Sequence, residues 1–223
     1  MNKKHLLAMG LALASAGACA DPLSYTSLDL GSSRVTRDGT KGGEGYLVSG
    51  QKDLSDRLFV SADFESANFG RDSLYSSSAP IGDITQKDYS LRLGLHAPLN
   101  DSNDFVARGG YLHSQGETDG FSVSHGGYTL GVGLRGQFAS HWEYLAFVDH
   151  DNAGVHYQTT GLLPCPAGVL CIYPTVLQAD EVENSLEAGV IWHMAPRFGV
   201  RFTARHSSVD SANRYLFAAH WTF

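Results

Sequence analysis

The sequence predicts an all-β protein that forms a transmembrane, antiparallel up-and-down β-barrel of about ten strands, with eight strands as the alternative. Apolar and polar residues alternate in segments of about ten residues, the length that a tilted strand needs to cross a membrane. The connections between segments are alternately short and long, and no window after residue 20 has the roughly 18 apolar residues of a membrane helix. Because every backbone group must be paired inside a bilayer, such a chain can span it as a closed barrel.

The first 20 residues are predicted to be a secretory signal peptide. Two lysines form its positive start, residues 6–13 are a short apolar stretch, and small residues precede Asp21. Cleavage between Ala20 and Asp21 would leave residues 21–223 as one barrel domain. Lipidation at Cys19 remains an alternative, because the residues before it also resemble a lipoprotein box.

The composition favours many short strands and argues against a polyanionic partner. The chain contains 25 glycines and 11% aromatic residues, which suits strands joined by turns. Loss of the two signal-peptide lysines would change the formal net charge from −7 to −9. This acidity argues against nucleic-acid binding, since no segment concentrates positive charge.

The predicted strands follow from the alternation of side chains. In the third strand, Leu58, Val60 and Phe64 lie on one face, and Asp63 and Glu65 lie on the other. The fourth, sixth, seventh and eighth strands alternate as clearly, whereas the first two alternate poorly and leave the eight-stranded alternative open. The predicted ranges are 22–31, 44–53, 57–68, 86–97, 105–114, 127–137, 141–150, 183–193, 198–207 and 213–223.

The connections and the aromatic residues distinguish a membrane barrel from a soluble sandwich. Short periplasmic turns that alternate with long extracellular loops are typical of such barrels, and two aromatic rings mark the membrane interfaces. The predicted short turns are 54–57, 99–104, 139–140 and 195–197, and the longer loops are 33–43, 69–85, 115–126, 151–182 and 207–213. The aromatic residues beside the short turns are Phe105, Trp142, Trp192, Trp221 and Phe223, and those toward the loops are Phe64, Tyr89, Tyr111, Tyr128 and Tyr215.

The last strand contains a specific pattern of aromatic residues. Tyr215, Phe217, Trp221 and the terminal Phe223 share one face, and this pattern resembles the closing strand of small outer-membrane β-barrels of Gram-negative bacteria, the opacity-like and OmpA-like superfamily. The resemblance implies an outer-membrane location with lipid around the barrel. It also implies that periplasmic chaperones and the barrel assembly machinery read these aromatic residues as an assembly signal.

Many charged residues are predicted to point into the lumen. A lumen this narrow is nearly filled by side chains, so acids and arginines are expected to pair across it. The predicted network comprises Asp63, Glu65, Asp88, Arg92, Arg108, Arg135, Glu143, Asp149, Glu187, Arg201 and Arg205. We therefore expect a non-enzymatic barrel with a structural or surface-interaction role and a charge-filled lumen. A weak small-solute diffusion pore is the alternative.

Two cysteines lie in the longest predicted loop. Cys165 and Cys171 flank a Pro-Ala-Gly turn in an exported chain, a spacing that predicts a disulfide. The closed loop would present apolar residues, which usually mark contacts. The segment 151–182 is therefore a candidate binding region for a surface partner, with packing onto neighbouring loops as the plainer interpretation.

Two short patterns in the sequence resemble catalytic motifs. His206 and Ser208 resemble the His-x-Ser step of lipid A deacylase barrels, but no acid follows Asp210 to orient the histidine. The run from Asp149 to Asp151 is similar to the Asp/His pairs of outer-membrane proteases, yet lacks their second acidic pair. A lipid A-modifying enzyme remains a distant alternative. We expect no cofactor and no metal, because the histidines are scattered.

Overall fold

A computed structural model describes residues 23–36, 42–70, 83–118, 121–159, 178–208 and 212–223. These residues form a closed barrel of ten antiparallel strands. The strands are β1 (Ser27–Thr36), β2 (Gly43–Ser55), β3 (Leu58–Phe69), β4 (Ile84–Asn100), β5 (Asn103–Thr118), β6 (Phe121–Ala139), β7 (Trp142–Thr159), β8 (Gln178–Ala195), β9 (Phe198–Ser207) and β10 (Asn213–Thr222).

The first and last strands close the barrel. They pair antiparallel from Ser27 opposite Thr222 to Thr36 opposite Asn213, and every other strand pairs with its neighbours in sequence. The backbone groups of the strands thus find their partners inside the barrel, as a bilayer requires. The predicted barrel of ten strands is confirmed, and the eight-stranded alternative is wrong.

One side of the barrel is built from much longer strands than the sequence predicts. Strands β4 to β8, the long-strand side, contain 16 to 19 residues each, whereas the other five contain 10 to 13. Most of the predicted loop 115–126 is therefore strand, as are both ends of the predicted loop 151–182. In the extension of β6 the polar residues Ser124 and His125 lie on opposite faces, so the apolar–polar alternation that marks a membrane strand is lost there.

The predicted first strand was placed too early in the chain. It was expected at 22–31, but β1 begins at Ser27, and the residues before it turn into the barrel. Tyr25 is 2% exposed there and packs among inward side chains. The two-residue turns Asp56-Arg57, Asp101-Ser102, Ser140-His141 and Pro196-Arg197 lie at the same end, where short turns were predicted.

Apolar side chains cover the outside of the barrel. Leu91, Leu93 and Leu95 of β4 are all more than half exposed, as expected for residues that contact lipid. Trp142 and Trp192 stack outside the barrel near the short turns with ring centroids 6.0 Å apart. At the other end the rings of Tyr46, Phe64 and Tyr89 lie side by side. Trp142, Trp192, Phe64 and Tyr89 belong to the two predicted aromatic rings, and Tyr46 is an addition to them.

An apolar cluster also fills the lumen at the short-turn end, which the sequence analysis did not predict. Its members are Tyr25, Phe59, Val106, Leu145, Phe147 and Ile191. Phe59 lies opposite Gly94 and Phe147 opposite Gly133, and a Cβ atom on either glycine would collide with the facing ring. The two glycines therefore leave room for aromatic rings that close the barrel from within.

Several predicted features lie outside the described residues. These are the signal peptide with its cleavage site at Ala20 and Asp21, the alternative lipid site Cys19, and the disulfide between Cys165 and Cys171. In the described ranges no helix is long and apolar enough to cross a membrane.

We expect Gly94→Val to lower the free energy of unfolding by about 1–3 kcal/mol, because the new side chain displaces the Phe59 ring. Urea unfolding of the protein refolded into lipid vesicles measures this change. Gly116→Val is the matched control, since a Cβ atom there meets nothing within 4 Å. Equal losses in both variants would contradict the assigned role of Gly94.

Candidate functional site

The lumen has three layers, and the lowest one closes the short-turn end. Tyr25 is the centre of this layer, which we call the stopper. Its ring stacks on Phe59 with centroids 4.8 Å apart and on His96 with centroids 4.2 Å apart. Its hydroxyl donates to Asp104 Oδ2 at 3.1 Å, and His96 Nδ1 lies 3.1 Å from the same oxygen. A buried tyrosine is thus satisfied at both its apolar and its polar end.

Arg135 completes the stopper from the other side. Its guanidinium lies 4.5 Å from the centre of the Tyr25 ring and forms an ion pair with Glu143, whose side chain is fully buried. A second donor of Arg135 reaches the carbonyl of Ser24 at 3.1 Å, and Glu143 Oε2 lies 3.3 Å from His193 Nε2. The segment before β1 is therefore held inside the barrel by charge, stacking and hydrogen bonds together.

The middle layer is a chain of ion pairs that crosses the lumen. Arg108 donates to Asp149 Oδ1 at 2.9 Å and to Glu187 Oε2 at 3.0 Å. Arg201 donates to Glu187 Oε1 at 3.3 Å and to Asp29 Oδ2 at 2.9 Å. We call this set, together with His220, the central ion-pair chain.

The central ion-pair chain ends at His220 and connects strands that are not neighbours. His220 Nδ1 lies 2.6 Å from Asp29 Oδ1, and both side chains are buried. The six residues belong to β1, β5, β7, β8, β9 and β10. Because each acid contacts at least one cation, the desolvation cost of these charges is offset within the lumen.

The upper layer surrounds a cavity of about 560 Å³. Arg214 reaches from β10 to Glu65 Oε2 and Asp88 Oδ2, both at 2.9 Å. Two further pairs line the same space, Arg92 with Asp63 at 3.4 Å and Arg205 with Asp151 at 2.7 Å. The residues of the stopper do not line this cavity, which lies on the long-loop side of the central ion-pair chain.

The structure brings all eleven predicted lumen charges into ion pairs inside the barrel. The partners that complete these contacts were not predicted from the sequence. The missed residues are Tyr25, Asp29, His96, Asp104, Asp151, His193, Arg214 and His220. The alternation of faces along the last strand places His220 on the inward face, and the same alternation places Arg214 there. The shifted first strand hid Tyr25 and Asp29.

The aromatic residues of the last strand lie on the outer face. Tyr215 and Phe217 are exposed toward lipid, and Trp221 packs on Phe198 with ring centroids 5.5 Å apart. The backbone N–H of Phe223 donates to the carbonyl of Thr26 at 3.0 Å. Recognition of these residues by assembly factors stays a prediction.

The residues of the protease-like pattern form ion pairs and a hydrogen bond with other strands. Asp149 and Asp151 both lie within β7, although Asp151 was predicted to begin the loop 151–182, and they pair with Arg108 and Arg205. His150 points to the other face, where its Nδ1 lies 2.9 Å from Asn184 Oδ1.

The residues of the deacylase-like pattern lie near the end of β9. His206 Nδ1 lies 2.9 Å from Asn213 Oδ1, and Ser208 Oγ accepts the N–H of Asn184 at 3.1 Å. Neither contact joins the histidine to the serine. Within the described part of the chain, no group of three His, Cys, Asp or Glu side chains is placed to hold a metal ion.

Comparison with known proteins identifies a family. The family model described as "Outer membrane protein beta-barrel domain" matches residues 5–160. None of the curated proteins matches this sequence.

Several solved barrels are similar in fold at low sequence identity. The attachment invasion locus protein Ail of Yersinia pestis is 12% identical with a TM-score of 0.40, and the match covers 88% of this chain and 96% of Ail. The KdgM porin is 10% identical with a TM-score of 0.42, covering 88% of this chain and 99% of that protein. The outer membrane protease OmpT of Escherichia coli is 10% identical with a TM-score of 0.46, and the match covers 89% of this chain and 94% of OmpT.

We expect Arg108→Ala to lower the free energy of unfolding by about 3–5 kcal/mol, because it leaves two buried carboxylates without their shared cation. Urea unfolding in lipid vesicles measures the loss. Arg34→Ala is the control, since Arg34 and Glu44 form an exposed pair 4.0 Å apart and its loss should cost less than about 1 kcal/mol. Similar losses in both variants would show that the central ion-pair chain does not stabilise the barrel.

Proposed function

The chain belongs to the outer membrane protein β-barrel domain family, and from this premise we propose that it is a closed, non-conducting barrel with a structural or surface-interaction role. Its location is the bacterial outer membrane. The family assignment gives the fold and the location, so the role must be argued from the lumen and the extracellular side of this chain.

The stopper is the observation that carries the proposal. Tyr25 fills the space between Phe59 and His96, and Arg135 covers its other side. A solute that entered from the short-turn end would have to displace a buried aromatic stack and an ion pair with a fully buried acid. Such groups are costly to separate, because each would leave an unpaired charge or a void.

The central ion-pair chain forms a second barrier above the stopper. Arg108 of β5 reaches inside the lumen to Glu187 of β8, and Glu187 also pairs with Arg201 of the neighbouring β9. A ten-stranded barrel is only a little wider than the eight-stranded kind that side chains fill, so these bridges leave little space. The two barriers therefore favour a closed barrel over a weak diffusion pore.

The long-strand side supports a role outside the membrane. A membrane-spanning strand needs about 9–11 residues, so strands of 16 to 19 residues continue for roughly 20 Å of additional strand. β7 and β8 include the two ends of the segment 151–182, which remains our candidate for binding a surface partner. Polar side chains on both faces of the β6 extension, such as Ser124 and His125, suit contact with water or a partner.

We further propose that the barrel is not an enzyme. Asp149 and Asp151, which a protease-like mechanism would use to activate water, each serve as the acceptor of an arginine. A carboxylate that is engaged in an ion pair with a guanidinium is poorly placed to accept a proton from an attacking water.

Conductance across a planar lipid bilayer tests the closed barrel. We expect the refolded protein to insert without discrete current steps, and Tyr25→Ala to stay silent because the central ion-pair chain still crosses the lumen. The triple variant Tyr25→Ala/Phe59→Ala/Arg201→Ala removes the aromatic stack of the stopper and the link from Glu187 to Asp29 in the central ion-pair chain, and it should conduct.

Folded insertion of each variant is checked by its resistance to protease in vesicles. Steady steps from the unmodified protein would contradict the proposal and favour the diffusion pore. A silent triple variant that is folded would show that other groups close the lumen.

A further inference from the structure

We propose that the upper cavity is a binding site for a small organic cation that has an ammonium group and an apolar body. The ammonium group is placed beside Glu65, and the apolar body on the neighbouring inward side chains of β1, β3 and β4. This site opens on the long-loop side, so it does not depend on whether the lumen below conducts.

The charges around the cavity leave an excess of negative charge. Among the described residues, seven carboxylates and five arginines line the cavity. Three of the arginines serve two carboxylates each, namely Arg108, Arg201 and Arg214. A narrow cleft with apolar walls focuses such a field and raises the local concentration of cations.

Glu65 provides the specific contact for an ammonium group. Its Oε2 pairs with Arg214, but its Oε1 is buried and has no hydrogen-bond donor within the described part of the chain. The side chain is 6% exposed and lines the cavity. Asp88 lies directly opposite on β4 and shares the same arginine, so two carboxylates compete for one cation. An additional N–H donor would satisfy Glu65.

Several buried polar atoms around the cavity have no hydrogen-bond partner among the described residues, and together they favour a ligand that donates hydrogen bonds. Asp151 Oδ1 is a second buried acceptor without a donor in the described ranges, and Arg92 Nε is a buried donor without an acceptor there. Both residues line the cavity. Acceptors thus outnumber donors, which matches a cation with several N–H groups better than an anion.

The wall beside Glu65 is apolar. Ala67 and Phe69 follow Glu65 on the inward face of β3, and they form a buried cluster with Val35, against which Ile84 packs. A hydrated metal ion gains nothing from such a wall, and no three-ligand metal group exists among the described residues. An alkyl or aromatic body covers the wall while its ammonium group reaches the carboxylate.

Isothermal titration of the refolded protein in nanodiscs with phenethylammonium chloride tests this site. We expect saturable binding at one site, and about tenfold weaker binding to Glu65→Gln, since a charge-assisted hydrogen bond is worth about a factor of ten in affinity. Glutamine keeps the shape and can still accept from Arg214, so the barrel should remain folded. Phe69→Ala should also weaken binding.

Glu44→Gln is the matched control. Glu44 is largely exposed and forms a surface pair with Arg34, so its replacement should leave the affinity unchanged. Absence of saturable binding, equal affinity of Glu65→Gln, or equally tight binding of the uncharged phenethyl alcohol would each overturn the proposal. Calcium binding that is tighter than amine binding and is lost in Glu65→Gln would also overturn it, in favour of a metal site.

Discussion

The bridge that Glu187 forms between Arg108 and Arg201 organises the inside of this barrel. One carboxylate holds two guanidinium groups from strands on either side of it, and these groups in turn hold Asp149 and Asp29. A bilayer forces the apolar side chains outward and leaves the polar ones in a narrow lumen. Charges in such a space are tolerated when each has a partner, so strand closure and charge pairing support each other.

The central ion-pair chain divides the lumen into unlike halves. Below it, Tyr25 and the inward phenylalanines pack as in the core of a soluble protein, and Arg135 with Glu143 supplies the polar closure. Above it, a cavity persists because the walls carry charges and short polar side chains that do not fill the space. The closed half supports a non-conducting barrel, and the open half supports recognition from outside the cell.

Local alternation predicted the parts of the fold that lie in the membrane, because lipid outside and polar lumen inside give each strand two unlike faces. The same rule placed Asp63, Glu187 and Arg201 inside. It failed where both faces are polar, as in residues 115–126. It also failed at Tyr25, whose place depends on Asp104, 79 positions away in sequence. Which charges pair across the lumen depends on barrel closure, as with Asp29 and His220, and no local pattern carries that information.

Accessibility of a single cysteine from each side of the membrane tests closure of the lumen most directly. Leu112→Cys, in a background with every native cysteine changed to Ser, places a thiol on the wall of the upper cavity. A charged, impermeant thiol reagent should label it from the extracellular side and not from the periplasmic side, where Ser55→Cys at a short turn confirms delivery of the reagent. Equal labelling of the cavity cysteine from both sides would contradict the closed barrel.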